Sequence, residues 1–204
     1  MLVEDLLLLA RIDQQRPLDQ HPVDMLALAA DAVHDARLIA PDREVRLTVG
    51  HDTAFLVIGD EARLRQVVGN LMNNALTHTP DGTPVEVHVR SGVLGPDQPV
   101  PAVVLEVVDH GPGMPPEQAQ RVFERFYRAD QARARQTGGT GLGLAIVSAL
   151  VHAHGGTVAV DTAPGRGATF RIALPLAPEA QGAQAPAEGT APHPEASAPD
   201  AVEW

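Results

Sequence analysis

An α/β two-layer sandwich is the fold class this chain predicts: a mixed, mainly antiparallel sheet covered on one face by helices. Short apolar runs of strand length recur between residues 45 and 174, several separated by turn residues. Between them lie segments whose apolar residues fall at helical spacing. With 204 residues, the chain is long enough for one domain with appendages.

Met1 to Ile12 is apolar apart from Glu4, Asp5 and Arg11, and Leu6-Leu7-Leu8-Leu9 is hydrophobic nearly all round. So short a helix is marginal alone in water, so residues 1–14 read as the end of a longer bundle helix. Residues 15–22, punctuated by Pro17 and Pro22, read as a linker into one domain over 23–176. Asp24 to Ile39 spaces Met25, Leu28, Ala29, Ala32, Val33 and Ala36 as a helix does. Val45 to Val49 alternates as a strand, with Phe55 to Ile58 expected as its hairpin partner. Asp60 caps an asparagine-rich helix that ends before Pro80. Val85–Val89 and Val103–Val108 are strands, and Pro115–Phe123 is a short helix. Residues 125–138 are arginine-rich without periodicity and read as a long loop. Leu142–Ala153 is a helix closed by Gly155-Gly156, and Val158–Val160 and Thr169–Leu174 complete the sheet. Residues 177–204 are mostly Ala, Pro, Glu and Gly without arginine, a composition expected to be disordered.

Composition removes several chemistries. All 15 Lys+Arg residues are arginine, which excludes a Walker A lysine, the strand lysine of eukaryotic-type kinases and any Schiff base. A phosphate site must then use backbone amides, arginines and a metal. There is no cysteine, so disulfides and thiolate chemistry are excluded. The net charge of −11 argues against nucleic acid as a partner. No apolar run is long enough to span a bilayer and no signal peptide is visible, so the chain is expected to be cytoplasmic, or the cytosolic part of a membrane-anchored protein.

Three glycine-bearing segments follow the asparagine-rich helix in order. Asn70 and Asn74 are one helical turn apart on one face, and asparagine costs about half a kcal/mol relative to alanine there. An amide oxygen is a suitable neutral ligand for Mg²⁺, and a buried asparagine bonded to backbone is the plainer alternative. Asp109 ends a buried-looking strand, where its carboxylate could accept an adenine amine hydrogen, while Gly111 and Gly113 would let backbone approach a flat base. A simple Asp-x-Gly turn is the alternative. Gly139, Gly141 and Gly143 open a helix whose amides could bind phosphate, and Arg128, Arg133 and Arg135 stand in the loop before it. His152 and His154 form a His-x-His pair, for which a helix C-terminus is a simpler account than a metal.

These residues together resemble the catalytic, ATP-binding half of a two-component sensor histidine kinase, in the superfamily that also holds DNA gyrase and MutL. Asn70 to Asn74 is similar to the N box, and Asp109-x-Gly111-x-Gly113 to the first glycine box. Phe123-Glu124-Arg125-Phe126-Tyr127-Arg128 is similar to the F box, with Gly139-x-Gly141-x-Gly143 and Gly165-x-Gly167 as the remaining two. The likeness runs from about Met1 to Pro175. It implies the Bergerat ATP-binding fold, a lid over residues 125–140, and ATP and Mg²⁺ as ligands. By resemblance, Asn74 would hold Mg²⁺ and Asp109 the adenine amine, with Tyr127 and Arg128 near the phosphates. Thr169 would reach the adenine through water, while Gly139, Gly141, Leu142 and Gly143 would meet the triphosphate.

Asn70 stands where ATP-hydrolysing relatives carry a glutamate, which implies phosphoryl transfer to histidine rather than hydrolysis. Thr77 replaces a usual lysine or arginine, leaving His78 or Arg128 as substitute phosphate contacts. The first residues resemble only the end of the second phosphoacceptor-hairpin helix. The partner is therefore expected to be a phosphoacceptor histidine domain, upstream or on another chain, with a response regulator downstream. By itself the fragment is expected to be monomeric. The alternatives are an anti-sigma-type serine kinase, which shares the fold, and a non-catalytic module that binds nucleotide or caps a partner kinase.

Overall fold

Two aspartates start the long helices. The Asp24 carboxylate accepts the backbone N–H of Leu26 at 2.9 Å, and that of Asp60 accepts Arg63 N–H at 3.1 Å, supplying acceptors that a helix N-terminus lacks. The computed structural model describes residues 2–14, 17–51, 54–95, 97, 99–128 and 140–178. In chain order the elements are α1 (Leu2–Asp13), β1 (His21–Asp24), α2 (Met25–Ile39), β2 (Val45–Val49), β3 (Leu56–Gly59) and α3 (Glu61–His78). They continue with β4 (Val85–Leu94), β5 (Val100–Asp109), α4 (Pro116–Ala119), α5 (Gly143–Ala153), β6 (Thr157–Thr162) and β7 (Ala168–Pro175).

The main sheet has the order β2-β4-β5-β7-β6, antiparallel except for the parallel β2–β4 pair. Strand alternation sends Val85, Val87, Val89, Leu105, Val107, Phe170 and Ile172 to one face, all at most 1% exposed. Helices α2, α3 and α5 cover that face, and α1 lies on α5 with Leu8 and Leu9 buried. The other face is polar around Glu106, which accepts from Arg90 at 3.0 Å and from Arg171 at 2.5 Å, and carries the small buried cluster Leu94, Ala102, Val104 and Ala173 farther along. The expected two-layer sandwich is thus observed. No helix among the described residues is long and apolar enough to cross a membrane.

Gly155 ends α5 as expected, with φ +72° and a 2.9 Å bond from Gly156 N–H to the Val151 carbonyl. One expected pairing fails. β2 does not form a hairpin with β3; it pairs in parallel with β4, while β3 pairs with β1. Period-2 alternation marks a strand but does not choose its neighbour. Strand β1 begins inside the expected linker, and Pro22 fits because this two-stranded pair leaves its N-side free. The short helix after Pro115 covers only Pro116–Ala119. Ala177, expected to open the tail, is buried and donates its N–H to the Leu56 carbonyl at 2.8 Å. The rest of that tail, residues 179–204, lies outside the described residues.

Candidate functional site

The last pleat of the sheet builds the floor of the site. Val85, Asp109, Ala168 and Thr162 stand side by side across β4, β5, β7 and β6, on the helix-covered face. Asp109 is 7% exposed, and its Oδ1 accepts the Gly111 N–H at 2.9 Å. Burial pushes its carboxyl above the ordinary value, with the N–H groups of Gly111 and Ala168 opposing that rise. A carboxylate has about four lone-pair positions, so capacity for a further donor remains. A Cβ on Gly111 would lie 2.7 Å from Thr79 Cγ2 and 3.0 Å from Asp109 Oδ1, so only glycine leaves this cradle open.

The first and last glycine boxes are locked together. Gly113 (φ +63°) and Gly167 (φ +69°) pack so closely that added Cβ atoms would fall 2.0 Å from the carbonyl oxygens of Ala163 and Asp109. Thr162 bridges them, accepting Met114 N–H at 3.1 Å and donating to the Gly167 carbonyl at 2.7 Å. Sequence reading missed Thr162, although its place five residues before Gly167 on the same pleat was a usable signal. Thr169 goes the other way. It pairs with Val108, so its side chain lies on the polar face of the sheet, away from Asp109. An adenine contact from its side chain is therefore not brought into the site; the pleat gives that place to Ala168.

Helix α3 forms one wall. Leu64, Val67, Val68, Leu71 and Ala75 face the core, leaving Asn70 and Asn74 half-buried beside it and Asn73 exposed. Asn70 Nδ2 donates to the Gly143 carbonyl at 3.2 Å, tying this wall to the start of α5. The Asn74 amide has no hydrogen-bond partner among the described residues. At the helix end, desolvation lowers the His78 pKa; Asp109 pulls it up and Arg128 pushes it down, so the three groups sense one field. Thr77, in the position of the usual cation, is exposed.

The opposite wall is the start of α5, whose first turn has no side-chain cap. Its orphan N–H groups and the positive end of its dipole suit an anion. Gly141 has φ +70°, Leu142 N–H donates to Thr140 Oγ1 at 3.3 Å, and the Leu142 side chain is fully buried, so only its backbone faces the site. In the F box, Phe123 packs edge-on against Phe170 at 6.4 Å between centroids. The Arg121 guanidinium lies 4.6 Å from the centre of the Tyr127 ring. Gly139, Arg133 and Arg135 lie outside the described residues. His154 is occupied structurally: its Nδ1 lies 2.7 Å from the Leu150 carbonyl and its Nε2 accepts Asp60 N–H at 3.1 Å. No group of three metal-ligating His, Cys, Asp or Glu occurs among the described residues.

A buried carboxylate, a glycine cradle, an asparagine wall and an uncapped helix start thus meet in one place. The family model for the histidine kinase-, DNA gyrase B- and HSP90-like ATPases matches residues 59–178. The chain belongs to this ATPase family. The matched segment runs from Gly59 at the end of β3 through β7, and so takes in every box of the site. Among relatives of this ATPase domain, the probable sensor histidine kinase TcrY of Mycobacterium tuberculosis is 51% identical over 175 residues, covering 86% of this chain and 35% of TcrY. The mycobacterial sensor histidine kinase MprB structure superposes with a TM-score of 0.61 and 36% identity, over 76% of this chain and 97% of that one. The full-length ShkA structure, in complex with AMPPNP, gives a TM-score of 0.66 and 33% identity over 86% of this chain and 35% of that one. The chain spans 34–45% of the length of the first curated relatives it matches.

Proposed function

We propose that this ATPase-family domain is the catalytic half of a sensor histidine kinase, binding Mg-ATP and delivering its γ-phosphate to a histidine of a phosphoacceptor domain. The acceptor lies upstream in a longer protein or on a separate chain, and a response regulator follows it. The observation that carries this reading is the buried Asp109 carboxylate set over the Gly111 cradle, between the α3 asparagines and the uncapped start of α5. Mg-ATP supplies the phosphoryl group, with the metal offsetting charge on its oxygens.

Each residue then has a task. Asp109 accepts the adenine amine hydrogen, and Gly111 and Gly113 let backbone lie against the base. Asn74, whose amide has no other described partner, holds Mg²⁺ through its oxygen. Arg128 and His78 face the phosphates with Tyr127 beside them, and the N–H groups from Gly141 to Gly143 receive them at the helix start. Asn70 carries an amide already bonded to the Gly143 carbonyl, so it is no base for activating water. A neutral imidazole acceptor is nucleophilic near pH 7 and needs none.

Calorimetric titration of Mg-ATP into the wild type, Asp109→Asn and Asn74→Ala tests the site. Binding that Asp109→Asn removes, with Asn74→Ala abolishing transfer to a supplied phosphoacceptor hairpin, is the expected result. A folded wild type that binds no Mg-ATP would overturn the proposal in favour of a partner-capping module. An acid-stable phosphoserine product would favour the serine-kinase alternative. His34, followed by Asp35, and His51, followed by Asp52, are exposed histidines of this chain to exclude as acceptors, by His34→Gln and His51→Gln.

A further inference from the structure

Arg43 lies in the turn between α2 and β2, outside every motif of the site. Its side chain is only 4% exposed, and among the described residues no buried carboxylate accompanies it. The Asp81 carboxylate stands 3.9 Å away and is fully exposed, too distant and too solvated to compensate a buried cation. The acceptors that do so are the carbonyls at the end of α3. Arg43 Nη1 donates to the Ala75 carbonyl at 3.3 Å, and Nη2 to the carbonyls of Pro80 at 3.0 Å and Thr79 at 3.5 Å. A helix C-terminus offers both unsatisfied carbonyls and the negative end of its dipole, which suits a guanidinium.

The same guanidinium also fixes a side chain. Arg43 Nη1 donates to Thr79 Oγ1 at 2.7 Å, and that hydroxyl donates onward to the Ala75 carbonyl at 2.7 Å. With the hydroxyl engaged as acceptor and donor, the Thr79 rotamer is set and its methyl turns toward Gly111, the Cγ2 that an added Gly111 Cβ would meet at 2.7 Å. Gly111 N–H in turn holds Asp109 Oδ1 at 2.9 Å. A continuous line of contacts therefore runs from the buried cation through Thr79 and Gly111 to the carboxylate.

We infer that Arg43 is a positioning residue of the nucleotide site, holding Thr79 under the Asp109–Gly111 turn so that the adenine end of the pocket keeps its shape. The inference rests on the ATP-site reading above. A plain helix cap would lower stability when removed and leave the turn unchanged; a positioning residue changes the turn and weakens every adenine nucleotide alike.

The test uses Arg43→Met, Arg43→Lys and Thr79→Val in the whole chain, at a temperature where denaturation curves show each folded. Calorimetry reads Kd for Mg-ATP and for ADP without magnesium, and NMR reads the amide shifts of Gly111 and, as a distant control, Gly155. Arg43→Met is expected to weaken both nucleotides by the same factor, about tenfold, and to move the Gly111 amide while leaving Gly155 in place. Arg43→Lys recovers part of the loss, because an ammonium replaces the fork with a point donor. Thr79→Val, which keeps the methyl but loses the hydroxyl, weakens binding similarly and adds nothing to Arg43→Met. If Arg43→Met does not fold, Arg43→Lys and Thr79→Val carry the test. Unchanged Kd values and an unmoved Gly111 amide in folded variants would overturn the inference. A wild type that binds neither nucleotide would overturn the ATP-site reading instead, and the Gly111 shift would still decide whether Arg43 shapes the turn.

Discussion

The Phe126 N–H donates to the Gly141 carbonyl at 2.9 Å, and both residues have left-handed backbone, with φ +63° at Phe126 and +70° at Gly141. This pair joins the F box to the glycine segment through a single backbone hydrogen bond. Phe126 holds a conformation that costs a side-chain-bearing residue about 1–2 kcal/mol, and its ring is 59% exposed. Strain of this kind persists where surrounding contacts over-determine it, which is common at functional sites.

Gly141→Ala tests that junction. Its Cβ would lie 3.0 Å from Phe126 C and Tyr127 O at a φ that L residues avoid. The variant is expected to lose about 1–3 kcal/mol in chemical denaturation and to bind nucleotide more weakly. Phe126→Gly, which removes the backbone strain at an exposed position, is expected to stay within about 1 kcal/mol of the wild type. An alanine variant as stable as the wild type would count against the junction.

In the proposed site, Asp109 trades stability for binding. Its folded-state pKa is raised above the ordinary 3.8, chiefly by burial, so the native protein holds that proton more tightly than the unfolded chain does. The stability this gives is complete below the unfolded pKa and is lost as pH rises through the folded one. Asp109→Asn is therefore expected to be more stable than the wild type at pH 7, with the difference shrinking as pH falls toward 3.8. If the ionised carboxylate receives the adenine amine as proposed, wild-type nucleotide binding is expected to weaken as pH falls through the raised pKa. Parallel urea titrations across pH would check the sign; a wild type more stable than the variant at pH 7 would refute it.

Thr162→Val removes a hydroxyl that both accepts from Met114 and donates to Gly167. The shape is kept, and two backbone groups of the glycine boxes lose their partner. A loss of about 1–3 kcal/mol is expected, together with weaker ATP binding. Thr169→Val, on the polar face of the sheet, serves as the control and is expected to bind ATP as the wild type does. Equal losses in the two variants would reverse the assignment.

His154 and His152 separate a structural histidine from a surface one. His154 accepts the Asp60 N–H at the start of α3, and Gly59 leaves room for its ring, since a Cβ there would meet His154 Cδ2 at 2.4 Å. The exposed His152 ring hydrogen-bonds only within its own helix, to Ser148, among the described residues. His154→Ala is expected to cost about 1–3 kcal/mol and His152→Ala under about 0.5 kcal/mol. Thermal denaturation of both decides it, and equal midpoints would exclude the bridging role.

Local chemistry made much of this protein legible in its residues alone. Asp24 and Asp60 announce helix starts, Gly155 announces a helix end, and the i, i+4 placement of Asn70 and Asn74 follows from helical period. The order of the glycine boxes needs only the chain. Partners distant in sequence were a different matter. Alternation at Val45–Val49 specifies a strand but not its neighbour, and the fold, with α2 packed across both β2 and β4, set the two side by side. The choice of Thr162 over Thr169 depends on one residue of register, because a single step reverses the face of every side chain. Arg43 carries no local signal at all. Its role exists only because the fold brings the end of α3 over it, shutting out water and leaving its guanidinium the helix carbonyls and Thr79 as partners.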